Sequence, residues 1–282
     1  MKTDRTTRFF ILIAGTLIII YGVAGHVRNR VWQSKLSLWT DVVRKAPRNP
    51  RGYVNRGHAW LERGKSDRAR ADFRKALELH PDAYMAHMGL GLLAMAREND
   101  FTAARHFRRA VDAKPRYPEA HVRLGLLHEN VFNRPQAALD AYQTALRHDT
   151  DNEFALLALG RFHLKREQWR EAIRRFSTLI DSPAYGAEAS LGRGIALLHA
   201  GTVDAAVRDL QHALEKSHRP GLAHYYLAAA SLVRGNTGAA RTHISAARKH
   251  GQNVSSLEHR LQGENTAPPQ TDASPDAFVS PP

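Results

Sequence analysis

The chain has 282 residues, 43% of them hydrophobic and 24% charged, which excludes a wholly disordered polymer and leaves room for one or two domains. Lys and Arg number 41 against 27 Asp and Glu, a formal charge of +14 that biases the protein toward anionic partners or surfaces. There is no cysteine, so disulfide scaffolding, thiolate metal sites and a cysteine nucleophile are excluded.

Residues 1–8 form a basic flank carrying Lys2, Arg5 and Arg8. The run from Phe9 to Gly25 has no charge, and Arg28 and Arg30 follow it. A spanning helix needs roughly 17–25 apolar residues, so one transmembrane anchor is predicted over residues 9–27. A signal peptide cleaved near Val23-Ala24-Gly25 is the competing reading. A buried soluble helix is disfavoured, because no polar face interrupts the run. Sidedness stays open. The basic residues at Arg28, Arg30, Lys35, Arg44 and Lys45 favour a cytoplasmic C-terminal part. The short basic N-terminus before a first apolar segment favours the reverse.

Residues 28–49 are a linker and a lone capping helix. Val31–Ala46 lacks Gly and Pro, and Trp32, Leu36, Trp39, Val42 and Val43 recur at helical spacing. This helix can run on from the anchor. Residues 50–251 are then a repeat array. Gly57, Gly91, Gly125, Gly160, Gly194 and Ala228 are spaced by 34 or 35 residues. In step with them run Ala69, Ala103, Ala138, Ala172, Ala206 and Ala240. So do Phe73, Phe107, Tyr142, Phe176, Leu210 and Ile244, and so do Ala76, Ala110, Ala145, Leu179, Ala213 and Ala247. The one extra residue falls near Asn133-Arg134-Pro135. Each unit reads as two helices. The first carries a glycine for close approach, and the second sets an aromatic among alanines on one face. Gly64, Gly201, Gly235 and the Asn99-Asp100 pair mark the turns, and Pro47, Pro81 and Pro115 stop helices. Residues 252–262 predict a short capping helix with Leu257 and Leu261 inward, and the Pro-rich stretch 263–282 reads as disordered.

On these residues the chain resembles the tetratricopeptide repeat (TPR) family over about residues 50–250. The resemblance implies an all-α solenoid of six helix pairs in a right-handed superhelix, behind the one N-terminal span. Residues 28–57 carry a second resemblance, through Arg28, Asn29, Trp32, Leu38, Trp39, Asp41, Val42, Pro47, Asn49 and Arg51. They are similar to the membrane-to-repeat junction of bacterial mannosyltransferase-like TPR membrane proteins. That implies a bacterial inner-membrane location with the repeats extracytoplasmic. In that class a multi-span glycosyltransfer domain precedes the junction. Here a single span does, so the activity is not carried over.

No catalytic constellation is legible. There is no Gly-x-Ser-x-Gly, no phosphate-cradling glycine loop and no His-Glu-x-x-His, so neither an enzyme, a cofactor nor a metal is expected. Of the sixteen histidines, His87, His121 and His224 share one slot of their units and His128 and His163 another; equivalent slots lie about one repeat apart, too far for shared coordination, and these side chains read as packed. Arg68, Arg70, Arg74, Lys75, Arg105, Arg108, Arg109, Arg174 and Arg175 fall on second helices and read as a solvated wall with possible anionic-lipid contact. No nucleic-acid binding is expected, because Phe73, Phe107 and Phe176 are already assigned to the core.

By analogy with the family, the first helices line a concave groove through Val54, Met88, Val122, Leu157, Leu191 and Tyr225. One turn on come His58, Leu92, Leu126, Arg161, Ile195 and Ala229. Met85 and Met95 flank the apolar patch, and Arg123, Arg161 and Lys165 border it. The expected ligand is a protein or peptide segment with apolar anchors and acidic neighbours. The competing reading is that these residues pack adjacent first helices together. The Lys and Asn set with which family members clamp a terminal carboxylate pair is not reproduced. The expected role is a membrane-anchored scaffold, with an accessory subunit of a membrane glycosyltransfer or envelope-polysaccharide system as the alternative.

Overall fold

The computed structural model describes residues 13–14, 16–17, 32–216 and 219–263. Among them the protein is all-α, with fourteen helices and no strand. A capping helix α1 (Lys35–Lys45) precedes the array. Six helix pairs follow: α2 (Pro50–Leu61) with α3 (Ser66–Leu79), α4 (Tyr84–Met95) with α5 (Asp100–Ala113), and α6 (Pro118–Asn130) with α7 (Pro135–His148). Then come α8 (Glu153–Lys165) with α9 (Trp169–Ser177), α10 (Gly186–His199) with α11 (Val203–Lys216), and α12 (Pro220–Val233) with α13 (Thr237–Lys249). The last helix is α14 (Ser255–Leu261), where Leu257 is fully buried. No helix among the described residues is long and apolar enough to cross a membrane. The flank at 1–8, most of the expected span at 9–27 and the tail beyond Gly263 lie outside the described residues.

The helix ends follow local chemistry. Prolines occupy the first turns of α2, α6, α7 and α12, where a missing N–H costs nothing. Asn49, Asn99, Asn152 and Asn236 cap α2, α5, α8 and α13 through their side-chain oxygens. The capping helix departs from expectation. It starts at Lys35 rather than Val31, because Ser34 is extended and exchanges hydrogen bonds with Ser37, so α1 is not the continuation of a preceding helix. Trp32 is correspondingly 64% exposed, whereas Leu36 and Val43 of α1 are buried.

Each pair closes through a connection of three or four residues, which turns the second helix back along the first. One residue in each connection has positive φ: Gly64 (68°), Glu98 (56°), Asn133 (49°), Glu167 (57°), Gly201 (81°) and Gly235 (71°). The left-handed site is therefore Glu98, beside the Asn99-Asp100 pair expected to mark that turn. The extra residue of the array is absorbed between Asn130 and Pro135, around Asn133.

The chain divides into two compact units, Met1–Pro115 and Arg116–Pro282. The same packing runs through each. In the first unit the Phe73 ring fills the space between two glycines: a Cβ on Gly57 would lie 2.6 Å from Phe73 Cε1, and one on Gly89 would lie 2.4 Å from Cε2. Phe107 stands equally close to Gly91, at 2.4 Å. In the second unit Tyr142 faces Gly125, Leu210 faces Gly194, and Phe176 lies between Gly160 and Gly192. These side chains and the alanines around them are fully buried. Such contacts hold a second helix both to its own first helix and to the next one, so the core is continuous along a unit.

Candidate functional site

In the first unit the expected groove residues separate by burial. Val54 is 7% and Met88 2% exposed, so both pack between helices rather than line an open groove. Met85, Leu92 and Met95 are half-buried and share the α4 side that Met88 anchors from beneath, at spacings of three, four and three residues. The cause is visible in α4 itself. Its sequence YMAHMGLGLLAM is apolar on almost every side, so part of the helix is covered by neighbours and part is left in contact with water.

The second unit repeats this. Val122, Leu191 and Tyr225 are fully buried and Leu157 is 3% exposed, whereas Leu126, Arg123, Arg161 and Lys165 are half-buried. The packing reading therefore holds for the whole first row of inward positions. In the second row His58 and Leu92 in one unit and Leu126 and Arg161 in the other are half-buried and reach solvent, whereas Ile195 is 3% exposed and Ala229 is fully buried. The cationic members are built into networks. Arg123 donates to Glu119 at 3.3 Å and lies 4.7 Å from the Phe154 ring centroid. Arg161 on α8 is ion-paired with Glu188 on α10. Burial pushes the Arg219 guanidinium down, Glu188 opposes that shift and Arg161 adds to it. Glu188 and Arg219 also line a cavity of about 500 Å³ with Ser182, His212 and Lys216 at the α9–α10 connection. Sequence reasoning missed Glu188 and Arg219. Glu188 lies in the first turn of α10 and Arg219 is the residue preceding α12, both outside the positional series that marked the groove.

Two pairs of histidines meet across helices. His87 Nε2 faces the Pro81 carbonyl at 3.0 Å, and its Nδ1 lies 3.1 Å from His106 Nδ1. The carbonyl can only accept, so His87 carries its proton on Nε2 and accepts from His106 Nδ1–H. Burial, then His87, Arg105 and Arg74, push His106 down to about 4. His224 and His243 form the same contact at 3.0 Å. Among the described residues no three His, Cys, Asp or Glu side chains are placed to hold a metal ion.

A family model of the tetratricopeptide repeat matches residues 54–105, 97–153 and 157–218. Protein O-mannosyl-transferase Tmtc3 of Drosophila melanogaster is 31% identical over 84 residues, covering 30% of this chain and 9% of the fly protein. Among solved structures, the APC/C hetero-tetramer Cut9-Hcn1 aligns with a TM-score of 0.68 and 20% identity, over 82% of this chain and 46% of that one. The chain thus spans a small fraction of the fly protein and just under half of the Cut9-Hcn1 chain it matches. PilF of Pseudomonas aeruginosa aligns at 0.65 and 18% identity, over 77% of this chain and 97% of that one. YrrB, described as a TPR protein with an unusual peptide-binding site, aligns at 0.50 and 22% identity, over 66% of this chain and 95% of its own. At these identities the structural likenesses speak for the fold alone.

Proposed function

Because the chain belongs to the tetratricopeptide repeat family, we propose that it is a membrane-anchored scaffold that binds a protein or peptide partner along the solvent-reaching row of its first helices. The observation that carries this reading is the partly open α4 side formed by Met85, Leu92 and Met95. Flexible thioethers beside a leucine suit apolar anchors of varied shape. The second unit has its own apolar spot at Leu126, accompanied by Arg123, Arg161 and Lys165, which suits an apolar anchor with acidic neighbours. Residues 9–27 supply the anchor, in a bacterial inner membrane with the repeats extracytoplasmic. Contact of basic second-helix residues with anionic lipid belongs to the same reading, and neither nucleic acid nor catalysis is assigned to the chain.

A photo-reactive residue at Leu92 in living cells tests the surface. The reading expects a discrete crosslinked protein from Leu92 and none from Met88, which is 2% exposed. Silence from both Leu92 and Leu126 overturns it. The absence of cysteine makes sidedness simple to read. A single Lys249→Cys at an exposed position should label with an impermeant maleimide on intact cells.

A second reading is an accessory subunit of a membrane glycosyltransfer or envelope-polysaccharide system. Its support is the local similarity to an O-mannosyl-transferase. Unchanged surface glycans in a deletion strain would sink it.

A further inference from the structure

A separate cleft lies in the first unit, where the second helices α3 and α5 face one another. There α2 packs on α4 more closely than α3 packs on α5, so α3 and α5 lean apart over α4. The gap is a cleft of about 680 Å³. Its floor is apolar: Leu77 of α3 is half-buried and reaches solvent, and Leu90 and Leu93 of α4 are mostly covered, at 7% and 5% exposure. Its walls carry Arg70 and Arg74 from α3 and Arg97 and Arg105 from the α4–α5 side.

The charges there are not balanced within the fold. Arg70 and Arg97 share the single carboxylate of Asp67, at 3.2 and 2.8 Å. Glu78, the one acidic lining residue, is held by Lys75 at 2.7 Å. Arg74 and Arg105 are exposed, and among the described residues no ion pair or hydrogen bond engages either. Five cations thus meet two carboxylates. Neutral His106 sits in the same wall, and the two arginines help hold it unprotonated.

The repeat supplies its own control. At the positions equivalent to Arg74 and to Arg105 of the next repeat, the later pairs are Arg108 with Asp140, Gln143 with Arg174, Ser177 with Arg208, and Gln211 with Thr242. Only the first pairs an arginine on each wall. A merely solvated face would not need both arginines over an apolar floor.

We propose that the α3–α5 cleft docks an acidic peptide segment of a partner protein, with flanking carboxylates on Arg74 and Arg105 and an apolar side chain against Leu77. An ionised carboxylate meets guanidinium forks on both sides, which is the strong form of hydrogen bond. A bilayer surface is flat and cannot reach a floor recessed between two helices, so a chain segment suits the shape better. The charged walls here belong to α3 and the α4–α5 side, whereas the first-helix row uses the Met85, Leu92 and Met95 stripe of α4, so either surface can fail alone.

The test is selection of a random 12-residue peptide library on the immobilised full chain in detergent micelles, followed by affinity measurement on selected peptides. The expected consensus holds an apolar residue flanked by Asp or Glu. Arg74→Glu with Arg105→Glu should weaken those peptides about tenfold or more. Arg208→Glu with Arg241→Glu, exposed elsewhere and equal in charge change, should leave affinity within about threefold. Binding should also raise the His106 titration midpoint, read by NMR. No enrichment over the Arg74/Arg105 double variant, a consensus without acids, or equal loss in the control overturns the proposal. So does an Arg74/Arg105-dependent gain in cosedimentation with phosphatidylserine vesicles that is accompanied by no peptide selection.

Discussion

Arg56 on α2 grips Asp72 on α3 with two hydrogen bonds, Nε to Oδ2 and Nη2 to Oδ1, each 2.7 Å long. Asp72 is 6% exposed, so its carboxylate depends on this fork. The same bidentate contact recurs between Arg193 and Asp209 at 2.6 and 2.9 Å, at the equivalent positions of a later repeat. Arg56→Ala leaves a buried carboxylate without its partner and should cost about 3 kcal/mol. Arg56→Met with Asp72→Leu should recover most of that loss. Urea unfolding of the two variants checks both values.

Phe73→Ala empties the space between Gly57 and Gly89 and should destabilise the array by about 3–5 kcal/mol. Gly89→Ala fills the same space from the opposite side, with its Cβ 2.4 Å from the ring, and should cost about 1–3 kcal/mol. The two losses should be non-additive, because the smaller side chain removes the clash. Thermal melts of the single and double variants measure the coupling.

Glu98 and Glu167 occupy the left-handed position that Gly64, Gly201 and Gly235 fill elsewhere. An L-side chain there costs roughly 1–2 kcal/mol, against about 0.5–1 kcal/mol of extra chain entropy for glycine. Glu98→Gly and Glu167→Gly should each therefore stabilise the protein, by about 0.5 kcal/mol. A fall in melting temperature for both would contradict this account of the turns.

The hydrogen-bonded histidine pairs predict an acid-side loss of stability. His87, His106, His224 and His243 all have lowered pKa values, burial being the first cause in each. Arg74 and Arg105 add to it at His106, and Arg109 at His87, where Asp82 opposes. A lowered histidine is neutral in the fold while the unfolded chain takes up a proton. Its penalty is absent above the ordinary histidine value of about 6.5 and grows as pH falls toward the folded value, about 4 for His106. Unfolding free energy should fall from about pH 6.5 to about pH 4, with a shallower slope in His106→Gln.

The fold was legible because each positional series records a steric complement. Gly57 with Phe73, or Gly160 with Phe176, must move in step for a ring to meet a bare backbone, and the period exposes that pairing. Which first-helix positions stay open was less legible. Val54, Met88, Val122 and Leu157 are core, while Leu92 and Leu126 are partly open, and these classes lie on adjoining stripes of the same apolar helices. Hydrophobic pattern separates stripes only where a helix has a polar side, and α4 hardly has one. The histidine pairs left a signal that one-repeat spacings do not show. His87 and His106, like His224 and His243, are 19 residues apart, which joins a first helix to its own second helix. The arginine wall read as a solvated face, since only the splay of α3 and α5 brings Arg74 and Arg105 to one cleft.

The Phe73 wedge also governs how such a chain can change length. Removing one whole period, residues 64–97, would bring Phe107 to the place Phe73 leaves against Gly57, while Gly89 departs along with the ring it faces. Excision in any other increment strands a ring without a hollow or a hollow without a ring. Deleting a whole period removes one repeat's share of the stability but leaves every remaining ring its hollow, while an intermediate deletion does not. Arrays of this kind grow and shrink in quanta.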